Sequence, residues 1–345
     1  MPSAQHPRII TFGEIMLRLA PPGKLRLLQA NSLDVTFAGG EANVAVALAM
    51  VGLDAAFVTK LPSNDIAQAC INQLRGLGVD TRHIVRGGER MGLFFLEHGA
   101  AQRGGTVLYD RADSAISQVK SDDFNWDTLF ATATWYHFTG ITPALSDAAA
   151  TAVLAAAKAA HAHGVTVSCD LNFRKKLWSS AKANQVMSSL MPFVDICIAN
   201  EEDAENVFGI RAADTDVTNG KLDHNRYVDV ARQLTERFKF RSVAITLRES
   251  FSASRNGWSG LLYHDGQACF SRRYEMEIVD RVGGGDSFAG GLIYALSTGQ
   301  KPQEAIDFAA AASCLKHSIM GDYNFAKLEE IKGLLSSGGG GRVQR

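Results

Sequence analysis

The chain has 345 residues, 46% of them apolar and 21% charged, a balance that excludes the disordered and fibrous classes. Lys and Arg number 35 against 36 Asp and Glu, so a net charge of −1 gives neither nucleic acid nor an anionic membrane an attractive bulk field. An anionic ligand must therefore be held by local geometry.

The opening residues, Met1 to His6, lack a charged segment followed by an apolar stretch. The most apolar helical run, Ala148 to Ala157, meets Lys158 too soon to span a bilayer. The expectation is a cytoplasmic protein, and five scattered cysteines without a C-x-x-C fit reduced, mostly buried thiols. In chain order, strands are predicted over Arg8–Gly13, Asp54–Lys60, Thr134–Phe138, Val165–Cys169, Asp195–Ala199 and Ser242–Thr246. Helices are predicted between them over Glu41–Val51, Ile66–Leu74, Ala148–His163, Asn184–Leu190 and Tyr227–Phe238. Nearly continuous apolar strands separated by helices imply a mostly parallel sheet covered on both faces, an α/β fold of three layers.

Two stretches interrupt this rhythm. Glu14 to Thr36 reads as two extended segments around Pro21-Pro22-Gly23, and Met91 to His98 with Thr106 to Arg111 reads as a hairpin. The first strand of that hairpin is apolar on both faces, so each face needs a cover. Together the two stretches are expected to form a small sheet off the main one. A ligand on one side and a second subunit on the other would account for both faces. The sequence closes on Ser336-Ser337 and four glycines, a linker-like tail over 336–345.

The chemistry concentrates in Ile278 to Gly291. An extended run feeds Gly283, Gly284 and Gly285, after which Phe288, Leu292 and Leu296 recur at helical spacing. Glycines at a helix start let backbone N–H groups approach an anion, which the positive helix end also favours. Asp286 repels phosphate there, which makes sense if it takes a proton from an attacking hydroxyl while the amides stabilise the transferred phosphoryl group. Spacing alone leaves a helix cap as an equal alternative. Gly290 and Gly291, inside the helix, suggest close packing. Neither a P-loop nor G-x-G-x-x-G occurs, since Phe288 takes the third glycine position.

A second cluster, Phe37 to Asn43, also joins an extended segment to a helix. Asn43 can offer donor and acceptor to polyol hydroxyls, or the cluster is an ordinary turn. Polar residues follow several strands, at Thr139-Gly140, Asp170 to Arg174, Asn200 to Asp203 and Arg248-Glu249, which places them on one rim. Arg111 and Arg174 are candidates to grip a carboxylate, or surface ion pairs. Asn200 to Asp203 can help organise a hydrated Mg²⁺, or Glu201 and Glu202 simply oppose a helix dipole. The nine histidines form no H-E-x-x-H, so zinc is not expected.

Gly39-Gly40 with Asn43, Asp170-Leu171-Asn172-Phe173-Arg174 leading to Leu177-Trp178, and Gly283 to Asp286, in that order, resemble the ribokinase family of phosphofructokinase-B type sugar kinases over about residues 8 to 335. The resemblance implies a ribokinase-like domain over residues 1–335, with lid segments at about 14–36 and 91–111. It implies ATP-dependent phosphorylation of a small sugar acid such as 2-keto-3-deoxygluconate, with a neutral sugar or nucleoside as the alternative substrate. A non-catalytic sugar-binding regulator would keep the fold without the reaction. It further implies Asp286 as catalytic base and Gly283, Gly284 and Gly285 as the anion hole. Gly39, Gly40, Asn43, Phe94, Tyr109, Arg111 and Arg174 would contact the substrate. Asn172, Asn200, Arg248, Ser313 and His317 would lie against ATP. Asp203 would help hold Mg²⁺, a monovalent cation is a further implied cofactor, and the lid would form the clasp of a homodimer or higher oligomer. The chain departs from the family pattern at Gly284, Arg281, Val282, Asp203, Phe94 and Asp110. It departs also in the run Glu249 to Gly257, expected as a loop longer than the family's compact nucleotide turn.

Overall fold

The computed structural model describes residues 7–200, 202–211 and 224–337. The opening segment, Glu201 and the glycine run after Ser337 lie outside the described residues. The main sheet has ten strands: β1 (Arg8–Phe12), β4 (Asp54–Leu61), β5 (Ile84–Arg86), β8 (Trp135–Thr139), β9 (Thr166–Asp170), β10 (Ile196–Ala199), β11 (Ser242–Ser250), β12 (Arg255–His264), β13 (Gln267–Phe270) and β14 (Tyr274–Glu277). Their order is β13-β12-β11-β10-β9-β8-β1-β4-β5, with β14 also paired to β12. From β11 to β5 every neighbour is parallel, and β12 to β14 add an antiparallel edge. The smaller sheet, in order β3-β2-β6-β7, holds β2 (Met16–Ala20), β3 (Asp34–Ala38), β6 (Leu93–Glu97) and β7 (Thr106–Asp110).

The helices are α1 (Gly40–Met50), α2 (Asp65–Gly76), α3 (Trp126–Phe130), α4 (Ile141–Ala144), α5 (Asp147–Ala162), α6 (Ser180–Leu190), α7 (Asp203–Phe208), α8 (His224–Phe238), α9 (Gly284–Ser297), α10 (Pro302–Lys316) and α11 (Leu328–Ser337). Alternation along the buried strands sorts the core. Ile9 and Phe57 face α1, α9 and α10 with Val44, Leu48, Phe288, Leu292 and Phe308. Ile10, Phe12 and Phe138 face α3 and α5 with Phe130, Val153 and Ala156 on the other side. The expected three layers follow.

Every predicted strand and helix is present. The ends shift where caps outvote apolar spacing: Ser179 accepts from the Lys182 amide and starts α6 four residues before Asn184. The expected long loop after Arg248 is instead a closed hairpin, β11 pairing with β12 out to Ser250 opposite Asn256, so only residues 251–254 turn. Ser336 and Ser337, expected in the tail, end helix α11. Within α9, a Cβ on Gly290 would come within 3.0 Å of the Ala47 methyl, and one on Gly291 within 3.0 Å of the Ala309 backbone. The glycines thus set how closely α1 and α10 pack on α9.

Candidate active site

The carboxyl ends of the central strands open into one cleft of about 360 Å³, with the small sheet on its far side. The chain leaves β1 toward β4 on one flank and later returns to β8 on the other, and such a switch in strand order leaves a crevice. Every site residue singled out above lines this cleft except Ser313. Ser313 is wholly buried, and its hydroxyl donates to the Gly284 carbonyl at 2.7 Å, so it buttresses the glycine turn from behind.

Gly283 starts α9 with φ of +80°, a left-handed conformation, and a Cβ there would collide with the Asp322 carbonyl. Beyond it, the Gly285 and Asp286 amides have no backbone acceptor among the described residues, as expected of a first helical turn. Asp286 is the third helical residue, so the capping alternative fails: its carboxylate accepts from Asn43 and caps nothing. Burial pushes its pKa up, while the Asn43 hydrogen bond and the Arg174 charge pull it partway back.

Gly39 is required by close approach, since a Cβ would collide with the Glu14 carbonyl. Asn43 is buried, its Oδ1 accepting from the Gly39 amide at 3.3 Å and its Nδ2 donating to Asp286 Oδ2 at 2.6 Å. Both groups thus organise the site itself, while the amide keeps a second N–H and a second lone pair on the cleft side for a polyol hydroxyl.

On the small sheet, Phe94 is buried against the more exposed Tyr109, with ring centroids 6.0 Å apart. Arg111 lies 5.0 Å over the Tyr109 ring and is ion-paired to the buried Glu14. Its Nε is buried without a hydrogen-bond partner. Glu14 thus neutralises one of the two guanidinium groups expected to face the ligand. Arg174 is exposed to the cleft and makes no ion pair among the described residues.

Asp170, at the end of β9, has its pKa pushed well above the usual carboxylate range, first by burial and then by Asp203 and Asp286. Asp203 directs both carboxylate oxygens at backbone amides, of Phe173 and of Asn200, each at 3.0 Å. Asn172 takes φ of 37°, held by its amide on Asp170, and Asn200 accepts from the amides of Glu202 and Asp203. Arg248 and Arg281 lie close enough that Arg281, already desolvated, has its pKa lowered further by its neighbour's charge. His317 is buried beneath Gly284, and desolvation lowers its pKa to about 4, so its ring is neutral. Glu14, Asp170 and Arg281 all line the cleft, yet none was singled out from sequence as a site residue. Asp170 was visible as the first residue of the Asp170–Arg174 motif and Arg281 as a departure beside the glycines, while Glu14 was visible only as the start of an extended segment.

The description "pfkB family carbohydrate kinase" matches residues 6–327. The 2-dehydro-3-deoxygalactonokinase of Haloferax volcanii is 34% identical over 333 residues, 96% of this chain and 98% of its own length. The 2-dehydro-3-deoxygluconokinase of Thermoproteus tenax is 28% identical over 320 residues, 91% of this chain and 89% of that protein. Among solved structures, the 2-dehydro-3-deoxygluconokinase of Thermotoga maritima is 51% identical with a TM-score of 0.93, covering 96% of this chain and 100% of the other.

Proposed function

The chain belongs to the pfkB family of carbohydrate kinases, and from that premise we propose that it transfers the γ-phosphoryl group of ATP to a hydroxyl of a 2-keto-3-deoxy sugar acid, 2-keto-3-deoxygluconate first among them. The observation that carries this reading is Asp286, held by Asn43 at the mouth of the open amides of α9. Asp286 takes the proton of the attacking hydroxyl, whose oxygen bonds to the γ-phosphorus as ADP leaves. The Gly283 to Gly285 turn faces the charge on the transferred group. Arg248 and Arg281 bring two positive charges to the nucleotide side.

Arg174 supports an acidic substrate, and so do the names of the similar kinases, which specify 2-dehydro-3-deoxy sugar acids. Arg111 adds its buried, unpartnered Nε. The Glu14 pair favours a second reading, a neutral sugar, because it removes one unpaired positive charge from the pocket. A non-catalytic regulator would have no use for a buried carboxylate of raised pKa at an anion site.

Mg²⁺ fits Asp170, whose carboxylate shares the cleft with Asp203 and Asp286, and the ion would neutralise phosphate charge. Asp203 keeps its oxygens on amides and would orient that region. Beside the glycine turn the Lys316 ammonium donates to the carbonyls of Asp280 and Ile319 at 3.1 Å each, which takes those two oxygens away from a monovalent cation. Residues 1–335 act as one kinase domain with the small sheet as a lid, and the outward Val35 and Leu108 of that sheet with Leu28 of its β2–β3 connection suit a dimer clasp. Five unpaired cysteines agree with a cytoplasmic location.

Measuring ADP release across 2-keto-3-deoxygluconate, its galactonate epimer, ribose, fructose and adenosine tests the reading. Preference for a 2-keto-3-deoxy acid is expected. Preference for a neutral substrate would overturn the sugar-acid assignment, and absence of turnover would overturn the enzyme.

A further inference from the structure

A charged side chain inside a small apolar sheet needs a reason. Arg18 lies on β2 but is only 3% exposed. Its Nη2 donates to Asp280 Oδ2 at 2.8 Å and its Nη1 to Asp322 Oδ1, while His98, just after β6, approaches Nη2 at 3.2 Å. Both carboxylates belong to the walls of the glycine turn. Asp280 stands three residues before Gly283, and its Oδ1 also accepts from the Val282 amide at 3.1 Å. Its Oδ2 accepts from the Gly321 amide at 3.1 Å, which ties that wall to the segment leading into Asp322. The Asp322 carbonyl packs where a Cβ of Gly283 would sit, and Asp322 lines the cleft.

We propose that Arg18 is a positioning residue that docks the small sheet onto the glycine turn and neutralises the two carboxylates beside it, so that the α9 amides attract a phosphoryl anion only when the sheet is seated. The inference rests on the kinase reading above. Lys24 faces the cluster from beyond His98 and Asp286 from beyond Lys316, and burial pushes the Asp322 pKa up to about 6. Arg18 and Lys316 balance Asp280 and Asp322, and His98 is kept toward its neutral form by burial. Although burial pushes it up, Asp280 is held below the usual carboxylate range by Arg18 and Lys316, so it carries charge. With Arg18 withdrawn, two buried carboxylates would share one ammonium, and negative charge would stand beside the amides meant for phosphate. A buried ion cluster of this kind is a weak source of stability, since apolar replacements are often neutral, which leaves geometry as its contribution.

The test compares wild type with Arg18→Met, Arg18→Lys and the double variant Arg18→Met/Asp322→Asn in the full chain. Arg18→Met is expected to lower kcat roughly 10- to 100-fold, the scale of lost hydrogen bonds between charged groups, with the KM for ATP little changed. Arg18→Lys should restore part of it. The double variant should also regain activity, because it removes the stranded carboxylate. Near-normal kcat in a folded Arg18→Met, or equal losses in all three variants, would overturn the inference. A wild type inactive on every substrate overturns the kinase reading instead. Hydrogen exchange then decides without turnover: faster exchange in Val282 to Ser287 of Arg18→Met upholds the coupling, and unchanged exchange there refutes it.

Discussion

Asn43 Nδ2 donates to Asp286 Oδ2 at 2.6 Å across 243 residues of chain, so the first turn of α1 orients the acid at the first turn of α9. The two helices pack directly, which makes this hydrogen bond part of the interface. Asp286→Asn is expected to fold, since Asp286 serves as no cap, and to lose roughly 10²- to 10⁴-fold in kcat, the usual worth of general-base catalysis. Substrate binding by calorimetry should persist. Near-normal turnover would remove Asp286 from the mechanism.

Asn43→Ala separates orientation from chemistry. The hydrogen bond lowers the Asp286 pKa against the upward push of burial, so its loss raises that pKa further. A base works when unprotonated, and the acidic limb of the kcat/KM profile should therefore move to higher pH. At neutral pH the rate should fall about 10- to 100-fold, as for other hydrogen bonds to charged groups. An unmoved acidic limb would show that Asn43 does not tune Asp286.

The layer architecture and the rim of the cleft were legible because they rest on local signals. Apolar strands such as Arg8–Gly13 alternate with helical spacing, and polar residues recur where strands end. What remained hidden depends on contacts between distant residues. Nothing near Arg111 in sequence announces Glu14, which approaches it only because the chain passes there from β1 of the main sheet into β2 of the small one. Asn43 offers donors and acceptors in any context, and only packing shows that one of each is spent on Asp286 and Gly39. The run from Glu249 to Gly257 reads as a loop because Ser, Asn and Gly suit turns. Strand pairing with β12, a long-range effect, overrides that composition.

Arg174→Ala tests the charge of the substrate. In a partly dry cleft a guanidinium facing a carboxylate makes hydrogen bonds worth about 1.5 to 3 kcal/mol, so kcat/KM for a sugar acid should fall roughly 10- to 100-fold. The KM for ATP should change little. Equal losses for acid and ATP would move Arg174 to the nucleotide side.

The clasp predicts a dimer in sedimentation at micromolar concentration. Leu28 is 94% exposed and Leu108 is 51% exposed on the small sheet or its connection. Burying each contributes about 1.5 to 3 kcal/mol, so Leu28→Lys with Leu108→Lys should weaken association by at least about 100-fold. A wild type that sediments as a monomer would refute the clasp and leave the cleft untouched.

Glu41 predicts a pH signature in stability. It is buried in the first turn of α1, where its Oε1 accepts from the Thr139 amide and the hydroxyls of Thr139 and Thr142. Burial outweighs these bonds and pushes its pKa from 4.5 to about 7. Between those values the unfolded chain has released this proton and the folded chain still holds it. Stability from this group therefore falls as pH rises through the window, by up to about 1.4 kcal/mol per pH unit, and levels off above it. Glu41→Gln keeps the accepting oxygen and removes the titration. Denaturant unfolding of both proteins from pH 4.5 to 8 should show wild type losing ground to the variant up to about pH 7, with other groups cancelling in the difference. A difference that stays flat across that range would mean that Glu41 ionises inside the fold as readily as in water.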